Sequence, residues 1–219
     1  MMRSATVLTT VLAATTLARA DYYFDATGDL ADPGLVNLDI VGAEITNDDS
    51  FLVVAIDVAD LNADWGKYVM LIDHDPSIGE TANPWGRDIA TSAAIDAFMG
   101  GWLDGGGGGL AYRYDDSISG WADAASASVS IDWDNNRITY TMGLGDLGLS
   151  IGDSFSFDIG TTGGGETDPA IDLLSTADLQ PGWGNGSSSP MAYSYTVVPA
   201  PGAIALLGIA TLVGGRRRN

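Results

Sequence analysis

Short runs of strand length, separated by clusters of turn-forming residues, make up most of this chain. No stretch repeats apolar residues every 3.6 positions over the length of a long helix, so the pattern favours a β-protein. The runs 35–45 and Phe51–Val58 flank a polar turn cluster and predict one hairpin. A second hairpin is predicted for 126–132 and 137–142, because asparagine suits the left-handed positions of the turn between them.

The other predicted strands are shorter or less regular. A buried strand is predicted at Lys67–Asp73, and two more at 155–159 and 192–197. The run 92–98 fits either a strand or a short helix. Five consecutive glycines at 105–109 predict a loop or hairpin end, since glycine reaches backbone conformations that other residues avoid. Many short strands with such turns predict an all-β fold, an antiparallel β-sandwich of jelly-roll type.

The length and the missing cysteines limit what can stabilise this fold. Residues 21–197 have the length of one domain and can bury a sizeable core. The sequence contains no cysteine, so no disulfide holds the domain together in an oxidising compartment. Stability must therefore come from side-chain packing or from a bound metal ion.

The charge of the body is strongly negative. All 29 acidic residues of the sequence lie in it, together with only four basic residues, Lys67, Arg87, Arg113 and Arg137. Such a body argues against nucleic acid and against anionic lipid surfaces as partners. The same charge is compatible with cation binding. A solvated acidic surface that keeps an exported protein soluble explains the charge equally well, and both interpretations stay open.

The first 20 residues have the organisation of a secretory signal peptide. One early cation, Arg3, precedes an apolar and threonine-rich stretch at 5–18, and the segment ends in Ala18-Arg19-Ala20. This ending fits a small-residue cleavage site, and cleavage is predicted after Ala20. An amphipathic helix at the start of the mature protein is the alternative. The prediction implies the export machinery as a partner.

The last 22 residues, 198–219, are typical of a membrane address. A turn bracketed by prolines precedes an uncharged apolar run at 203–213, and three arginines follow it. Prolines end the preceding fold, and arginines stay on the cytoplasmic side of a membrane. The run is shorter than the roughly 20 residues of a spanning helix, so a permanent anchor is marginal. A buried core helix is the alternative, although the segment lacks the polar face expected of one.

The tail also carries a sorting pattern: a proline–glycine turn, the glycine-punctuated run Leu206-Leu207-Gly208 and the arginine cluster. In these features it resembles the PEP-CTERM sorting signals of bacterial envelope proteins. The resemblance implies recognition by an exosortase, a membrane cysteine protease-transpeptidase. The chain has Val-Pro-Ala-Pro where the family often has a glutamate between the prolines, so the resemblance bears more on targeting than on cleavage. The residues of the predicted sorting motif are Val198, Pro199, Ala200, Pro201, Gly202, Arg216, Arg217 and Arg218.

An ordered series of polar and aromatic features runs through the body. An aspartate-rich opening at 25–29 is followed by Ile72-Asp73-His74-Asp75 and Trp85-Gly86-Arg87-Asp88, and the series ends in Asp168-Pro169-Ala170-Ile171-Asp172. Over roughly residues 24–175 this order resembles the family 9 carbohydrate-binding module and the related DOMON-like β-sandwiches. The resemblance implies a non-catalytic sandwich in which calcium bridges loops and a pair of tryptophans grips a terminal sugar.

Residues suited to catalysis are poorly represented. There is no cysteine nucleophile, and the single histidine, His74, has no partner recognisable from spacing. One histidine cannot build a histidine-rich zinc site. Paired carboxylates can hydrolyse glycosides, but no pair stands out among so many acids. The sequence therefore predicts that the protein is not an enzyme, and an exported hydrolase is the third interpretation.

Calcium is the cofactor that the sequence favours, since it takes about six to eight oxygen ligands, many of them from carboxylates and carbonyls. The spacing of the acids does not fit an EF-hand. Turn-forming aspartates that bind their own backbone explain each residue equally well. The candidate ligands are Asp73, Asp75, Glu80, Asp168 and Asp172, with Asp25 and Asp29 at the start of the body.

Sugar binding needs exposed aromatic faces and polar groups that reach the hydroxyls. Trp85, Trp102 and Trp121 lie near glycine- and aspartate-rich loops, with Arg87 and Arg113 nearby in sequence, and these five are the candidate ligand-binding residues. Tryptophans of the core are the alternative for each ring. The sequence thus predicts an exported, envelope-sorted, non-catalytic β-sandwich, with calcium and polysaccharide as candidate ligands. A purely structural cell-surface or biofilm-matrix component is the alternative.

Overall fold

The computed structural model describes residues 20–200. Within this range the chain forms fourteen strands and three short 3-10 turns, which confirms the predicted all-β class. The strands are β1 (Asp21–Phe24), β2 (Ile40–Asn47), β3 (Phe51–Val58), β4 (Lys67–Asp73), β5 (Ile89–Thr91), β6 (Ala97–Trp102), β7 (Gly108–Asp115), β8 (Gly120–Trp121), β9 (Ala125–Asp132), β10 (Arg137–Gly143), β11 (Ser154–Thr162), β12 (Ala170–Leu173), β13 (Ser187–Ser189) and β14 (Tyr193–Thr196). The 3-10 turns span Val36–Leu38, Asp104–Gly106 and Gly145–Leu147.

The large sheet folds into two antiparallel layers that share one strand. The first layer has the order β1-β2-β3-β10-β9, and the second continues from β9 through β7, β6 and β4 to β11. β11 pairs with β14 at its start and with β12 at its end. The sheet bends within β9, because residues 128–132 pair with β10 whereas residues 125–127 pair with β7. The fold is therefore the predicted antiparallel sandwich, and its sheet is nearly closed into a barrel.

The outer edges of the two layers meet at β1 and β14. The Tyr23 hydroxyl donates to the carbonyl of Ser194 at 2.7 Å, and the Tyr193 hydroxyl donates to the carbonyl of Phe24 at 3.0 Å. The Tyr23 ring also packs edge-on against Phe157, with ring centroids 4.9 Å apart. We call this line of contacts between β1 and β14 the seam.

Apolar side chains fill the space between the layers, because most strands alternate inward and outward residues. In β10, for example, Ile138, Tyr140 and Met142 are buried, and the residues between them are half-buried. β4 is buried on both faces, since a second apolar cluster covers the outside of its layer. The residues of this outer cluster include Val69, Leu71, Phe98 and Leu173, with Trp85, Tyr112 and Trp121 packed against them.

Both predicted hairpins are confirmed. β2 pairs with β3, and β9 pairs with β10 around a turn in which Asn136 has a left-handed φ of 55°. The run 92–98 forms neither one strand nor a helix, because β6 begins only at Ala97. The glycine run turns the chain between β6 and β7, and its first three glycines have positive φ. The sequence predicts none of β1, β5, β12 and β13, since three or four residues carry too little periodicity.

The chain enters and leaves the described part beside the first layer. Ala20 is exposed and directly precedes β1, whereas the rest of the predicted signal peptide lies outside the described residues. At the other end, the Ala200 N–H donates to Asp49 Oδ1 at 2.8 Å, next to the β2–β3 turn. Between residues 20 and 200 no helix is long and apolar enough to cross a membrane. Of the predicted sorting motif, Val198, Pro199 and Ala200 are described, and Pro201, Gly202, Arg216, Arg217 and Arg218 lie outside.

Candidate metal centre

Three carboxylates from distant parts of the chain converge. Asp29 lies in the loop after β1, Asp39 immediately precedes β2, and Asp172 lies in β12. One oxygen of each residue lies within 4.8 Å of the oxygens of the other two. Asp39 and Asp172 are buried, and Asp29 is half-buried. We call these residues the acidic triad, which is the one group of this kind between residues 20 and 200.

Backbone N–H groups hold two of the three carboxylates in place. The Gly28 N–H donates to both oxygens of Asp39, at 3.1 and 2.9 Å. Asp172 accepts from the N–H of Ile40 at 2.6 Å and from the N–H of Leu173 at 2.8 Å. These bonds tie together the loop after β1, the start of β2 and β12. Each bonded oxygen keeps a further lone pair, so it can still ligate a cation.

Asp29 differs from its two partners in the triad. Both of its carboxylate oxygens are buried, and neither accepts a hydrogen bond from any residue between 20 and 200. Leaving a buried acceptor without a partner costs about 1–3 kcal/mol, and more when the group is charged. Such a group indicates that something other than these residues, an ion or ordered water, satisfies it.

Two further carboxylates lie nearby: Asp25 interacts with Asp29 and Asp172 of the triad, and Asp158 interacts with Asp25. Burial, and then the charge of Asp172, raise the pKa of Asp25 to about 8. Burial also raises the pKa of Asp172 to about 7, although backbone N–H donors act in the opposite direction. Asp158, fully buried in β11, has its pKa raised to about 6 by burial, in spite of hydrogen bonds from Ser175 and Ser189. The fold therefore concentrates carboxylates here in an environment that disfavours their charge.

The donor set suits a hard divalent cation. All three members of the triad offer carboxylate oxygens, which calcium and magnesium prefer, and none offers the nitrogen or sulfur typical of zinc sites. Calcium accepts a flexible shell of about six to eight oxygens, so carbonyls and water could complete it. Magnesium demands near-octahedral geometry and keeps several waters, which a buried set of carboxylates suits less well.

The triad includes one of the five predicted metal ligands, Asp172. Asp29, which the sequence analysis names at the start of the body, is its second member, whereas Asp39 is missed. Asp39 lies in an alternating run that is typical of a strand; its position directly before a buried strand is the signal that could have found it. Asp168 lies outside the triad, and its Oδ2 accepts from the Gly165 N–H at 2.7 Å.

The remaining predicted ligands, Asp73, Asp75 and Glu80, lie at the end of β4 and in the loop after it. Asp75 Oδ1 accepts from the N–H and the hydroxyl of Ser77, at 3.0 and 2.6 Å, as a turn-forming aspartate does. The backbone of Glu80 bridges to Ile95. One oxygen of Asp73 is buried and accepts no hydrogen bond from residues 20–200. A calcium role for these three residues stays a prediction.

Three of the five predicted sugar-binding residues come together outside the second layer. The ring centroids of Trp85 and Trp102 are 6.4 Å apart, and the guanidinium carbon of Arg87 lies 5.5 Å from the centroid of the Trp85 ring. The Trp85 ring fits against the sheet because Gly100 has no side chain that would overlap it. Arg87 is only 9 % exposed, and its Nε and Nη1 donate to no acceptor within residues 20–200.

The other two predicted sugar-binding residues lie apart from Arg87. Trp121 packs edge-on against Tyr114 and donates to the carbonyl of Ala82 at 3.2 Å. Arg113 is exposed in β7 and lines a cleft with His74. All three predicted tryptophans are half-buried. The tryptophans with the most exposed rings, which the sequence analysis does not select, are Trp65, Trp133 and Trp183.

His74 faces carboxylates through both ring nitrogens. Its Nδ1 lies 3.0 Å from Asp96 Oδ2, and its Nε2 lies 3.7 Å from Asp153 Oδ2. A hydrolase of the serine type needs one of these nitrogens to face a nucleophilic hydroxyl. The arrangement therefore lends no support to hydrolysis at this histidine.

Comparison with known proteins yields no match. No protein-family model matches the chain, and no curated protein or solved structure matches it significantly. Function must therefore be inferred from the fold and from the residues of the candidate site.

Proposed function

We propose that this protein is an exported, non-catalytic β-sandwich in which the acidic triad binds a calcium ion. The observation that carries the proposal is the carboxylate of Asp29, which is buried beside Asp39 and Asp172 and finds no hydrogen-bond donor among residues 20–200. A divalent cation would supply the missing partner and would neutralise part of the concentrated charge. Carboxylates as the sole side-chain donors favour calcium over softer metals.

The ion would take the structural role that disulfides have in other exported domains. The chain has no cysteine. The hydrogen bond from Ile40 to Asp172 already joins residues 132 positions apart, and the triad extends the connection back to Asp29. Cross-links that close long loops restrict the unfolded chain most, so a metal here stabilises the folded state efficiently.

Calorimetric titration of the full chain with calcium, together with thermal unfolding, tests the proposal. Calcium at about 100 times its Kd should stabilise the folded state by about 2.7 kcal/mol relative to excess EDTA, if it binds only the folded chain. Magnesium at the same concentration is the matched control and should give the smaller shift. An unchanged melting temperature in excess EDTA, with no heat of binding, would contradict the calcium site.

Envelope sorting is the part of the proposal that the termini support. The signal-like residues 1–20 and the PEP-CTERM-like tail bracket the sandwich, and the tail would be the substrate of an exosortase-type enzyme. Replacing Arg216, Arg217 and Arg218 by serine should release the protein from the envelope fraction into the medium. Replacing Arg113, which is exposed on the sandwich, is the control and should leave its location unchanged. Equal retention of both variants would count against sorting by the tail.

Polysaccharide binding is a second candidate function, and Arg87 is the observation that favours it. Its Nε and Nη1 find no acceptor within the described part of the chain, and such N–H groups are donors that sugar hydroxyls could satisfy. The guanidinium lies over Trp85, whose ring neighbours Trp102. Binding to a panel of envelope polysaccharides in calcium should fall at least about tenfold in Arg87→Lys, whose single ammonium lacks the planar fork. The control Trp133→Ala alters an exposed ring in the β9–β10 turn and should bind normally. Absence of any glycan signal favours the purely structural alternative.

A further inference from the structure

The N-terminal segment 21–30 is held to the body by few apolar contacts. Its strand β1 lies at the edge of the first layer and pairs with β2 alone among the described strands. Tyr22 and Phe24 are exposed, Phe24 by 74 %, and the side chains that pack inward are Tyr23 and Leu30. Segments with little buried apolar surface open at low free-energy cost. Segment 21–30 therefore depends on other interactions to stay docked.

The same segment carries two of the carboxylates that gather at the metal centre. Asp25 and Asp29 lie on the segment, whereas Asp39, Asp158 and Asp172 lie on the body. Both oxygens of Asp29 and one oxygen of Asp25 are buried, and none of the three accepts a hydrogen bond from residues 20–200. Like charges repel more strongly in a buried site than in water. Docking without a cation therefore brings the two sides together against their repulsion.

We propose that cation binding by the acidic triad closes the seam by locking segment 21–30 onto the body. The inference rests on the proposed calcium site and adds that the ion controls the attachment of β1. Asp29 supplies its ligand from the segment, and Asp39 and Asp172 supply theirs from the body. When segment 21–30 detaches from the body, the ion loses the carboxylate of Asp29. Binding and docking therefore stabilise each other.

Opening of the segment has a defined structural consequence. β1 covers the backbone edge of β2, and the Tyr23 ring packs against Phe157 and Tyr193 in the seam. When β1 detaches, the backbone N–H and C=O groups at the edge of β2 become exposed. Unpaired strand edges associate with other strands. Calcium modules outside cells bind with Kd values of about 10⁻⁴–10⁻³ M, and the lock is expected to close in that range.

Hydrogen–deuterium exchange of the full chain, compared between calcium and EDTA, tests the lock. With calcium at about 100 times its Kd, the amides of β1 should exchange up to about 100-fold more slowly than in EDTA. The amides of β8, which pairs only with β7 among the described strands, should change by less than about twofold, because β8 can open locally while the segment and the ion stay in place. The amides of β4 exchange through unfolding of the whole domain and should slow with its overall stabilisation.

Two variants isolate the role of Asp29. Asp29→Asn keeps the size of the side chain and breaks no hydrogen bond within residues 20–200, and it should abolish the effect of calcium on β1. Asp115→Asn, at the end of β7, is the matched control and should respond like the unchanged chain, because Asp115 accepts from the N–H and the hydroxyl of Ser117 as a turn-forming aspartate does. Tyr23→Phe tests the lock without altering a ligand. It removes the hydrogen bond to Ser194, so β1 should exchange faster in EDTA and calcium should slow that exchange again.

The outcomes separate the lock from the calcium site itself. Calcium binding by calorimetry without slower exchange at β1 would overturn the lock and leave the site intact. Absence of calcium binding would overturn both. Equal slowing of exchange at β1 and β8 would also overturn the lock, because it indicates an effect of calcium on local openings in general rather than on the segment.

Discussion

Two acidic regions of this molecule use aspartate in opposite ways. Around the turn after β4, nearby donors occupy most carboxylates: Asp75 accepts from Ser77, and Asp96, directly before β6, accepts from the N–H groups of His74 and Asp75. One buried oxygen of Asp73 is the exception, since it accepts from no residue between 20 and 200. In the acidic triad, both carboxylate oxygens of Asp29 are buried and accept from no residue between 20 and 200. Acids are as dense in sequence after β4 as in segment 25–32, yet among residues 20–200 three carboxylates converge only at the triad. Convergence from distant segments therefore distinguishes a metal candidate better than sequence density does.

The pKa values of the carboxylates also differ between the two regions. Hydrogen bonds from the Ser77 hydroxyl and N–H lower the pKa of Asp75, so its charged form is stabilised locally. Burial, reinforced by the charge of Asp172, raises the pKa of Asp25 to about 8. The carboxylate of Asp75 is thus satisfied without an ion, whereas the region of the triad gains from one.

The largest expected difference between the two regions is in calcium affinity. Asp29→Asn removes one of three carboxylate ligands and should weaken calcium binding on the order of 100-fold, since the number of charged ligands sets the affinity of such sites. Asp75→Asn, which removes a carboxylate in the turn after β4, should leave the affinity unchanged. Calorimetric titration of both variants measures this difference. Equal weakening in both would remove the distinction between the regions.

The next effect concerns the pH dependence of the metal-free protein. The pKa values of Asp25 and Asp172 are raised to about 8 and about 7, whereas in the unfolded chain such groups titrate near about 3.9. Between these values the folded state binds more protons than the unfolded state, so stability should fall as the pH rises from about 4 to about 8. Calcium favours the deprotonated carboxylates and should flatten or reverse this slope.

Denaturant unfolding at several pH values, with calcium and with EDTA, checks this prediction. Asp172→Asn removes one titrating group and should reduce the slope in EDTA, whereas Asp75→Asn should not. The overall negative charge of the body acts in the same direction in every variant, so the comparison between the two variants isolates the triad. A metal-free stability that rises with pH over this range would contradict the burial of these carboxylates.

The smallest effect is expected in the turn after β4. Asp75→Ala removes two hydrogen bonds of an exposed turn and should lower the melting temperature by no more than about 2–4 °C. The decrease should be the same in calcium and in EDTA, because a turn-forming aspartate does not depend on the ion. A decrease that appears only in calcium would place a metal ligand at Asp75, as the sequence analysis predicts.

Local sequence patterns determined much of the fold. The hairpins β2–β3 and β9–β10 follow from alternation and from turn residues such as Asn136. The continuous apolar run of β4 predicts a strand that is buried on both faces, as the structure shows. β1 could not be predicted in this way, because four residues are too few to show an alternation of apolar and polar side chains. The long-range order of strands, such as the pairing of β4 with β6 and β11, is a property of the packed sheet rather than of any segment.

The candidate site was predictable only in part. Asp172 and Asp29 could be proposed because acids near turns suit calcium, but their meeting with Asp39 depends on pairing between β11 and β12 and on the path of the chain after β1. Similarly, Trp85 and Arg87 are close in sequence, but the position of the guanidinium 5.5 Å from the centroid of the Trp85 ring is visible only in the structure. Their burial depends on Gly100 of β6, whose missing side chain makes room for the indole ring.

The measurement that decides between the two acidic regions is an anomalous difference map from crystals grown with terbium. We predict one strong peak at about 2.3–2.6 Å from carboxylate oxygens of Asp29, Asp39 and Asp172, the distances typical of calcium sites. A peak at Asp73 and Asp75 with none at the triad, or a map without a bound ion, would contradict a metal centre at the acidic triad.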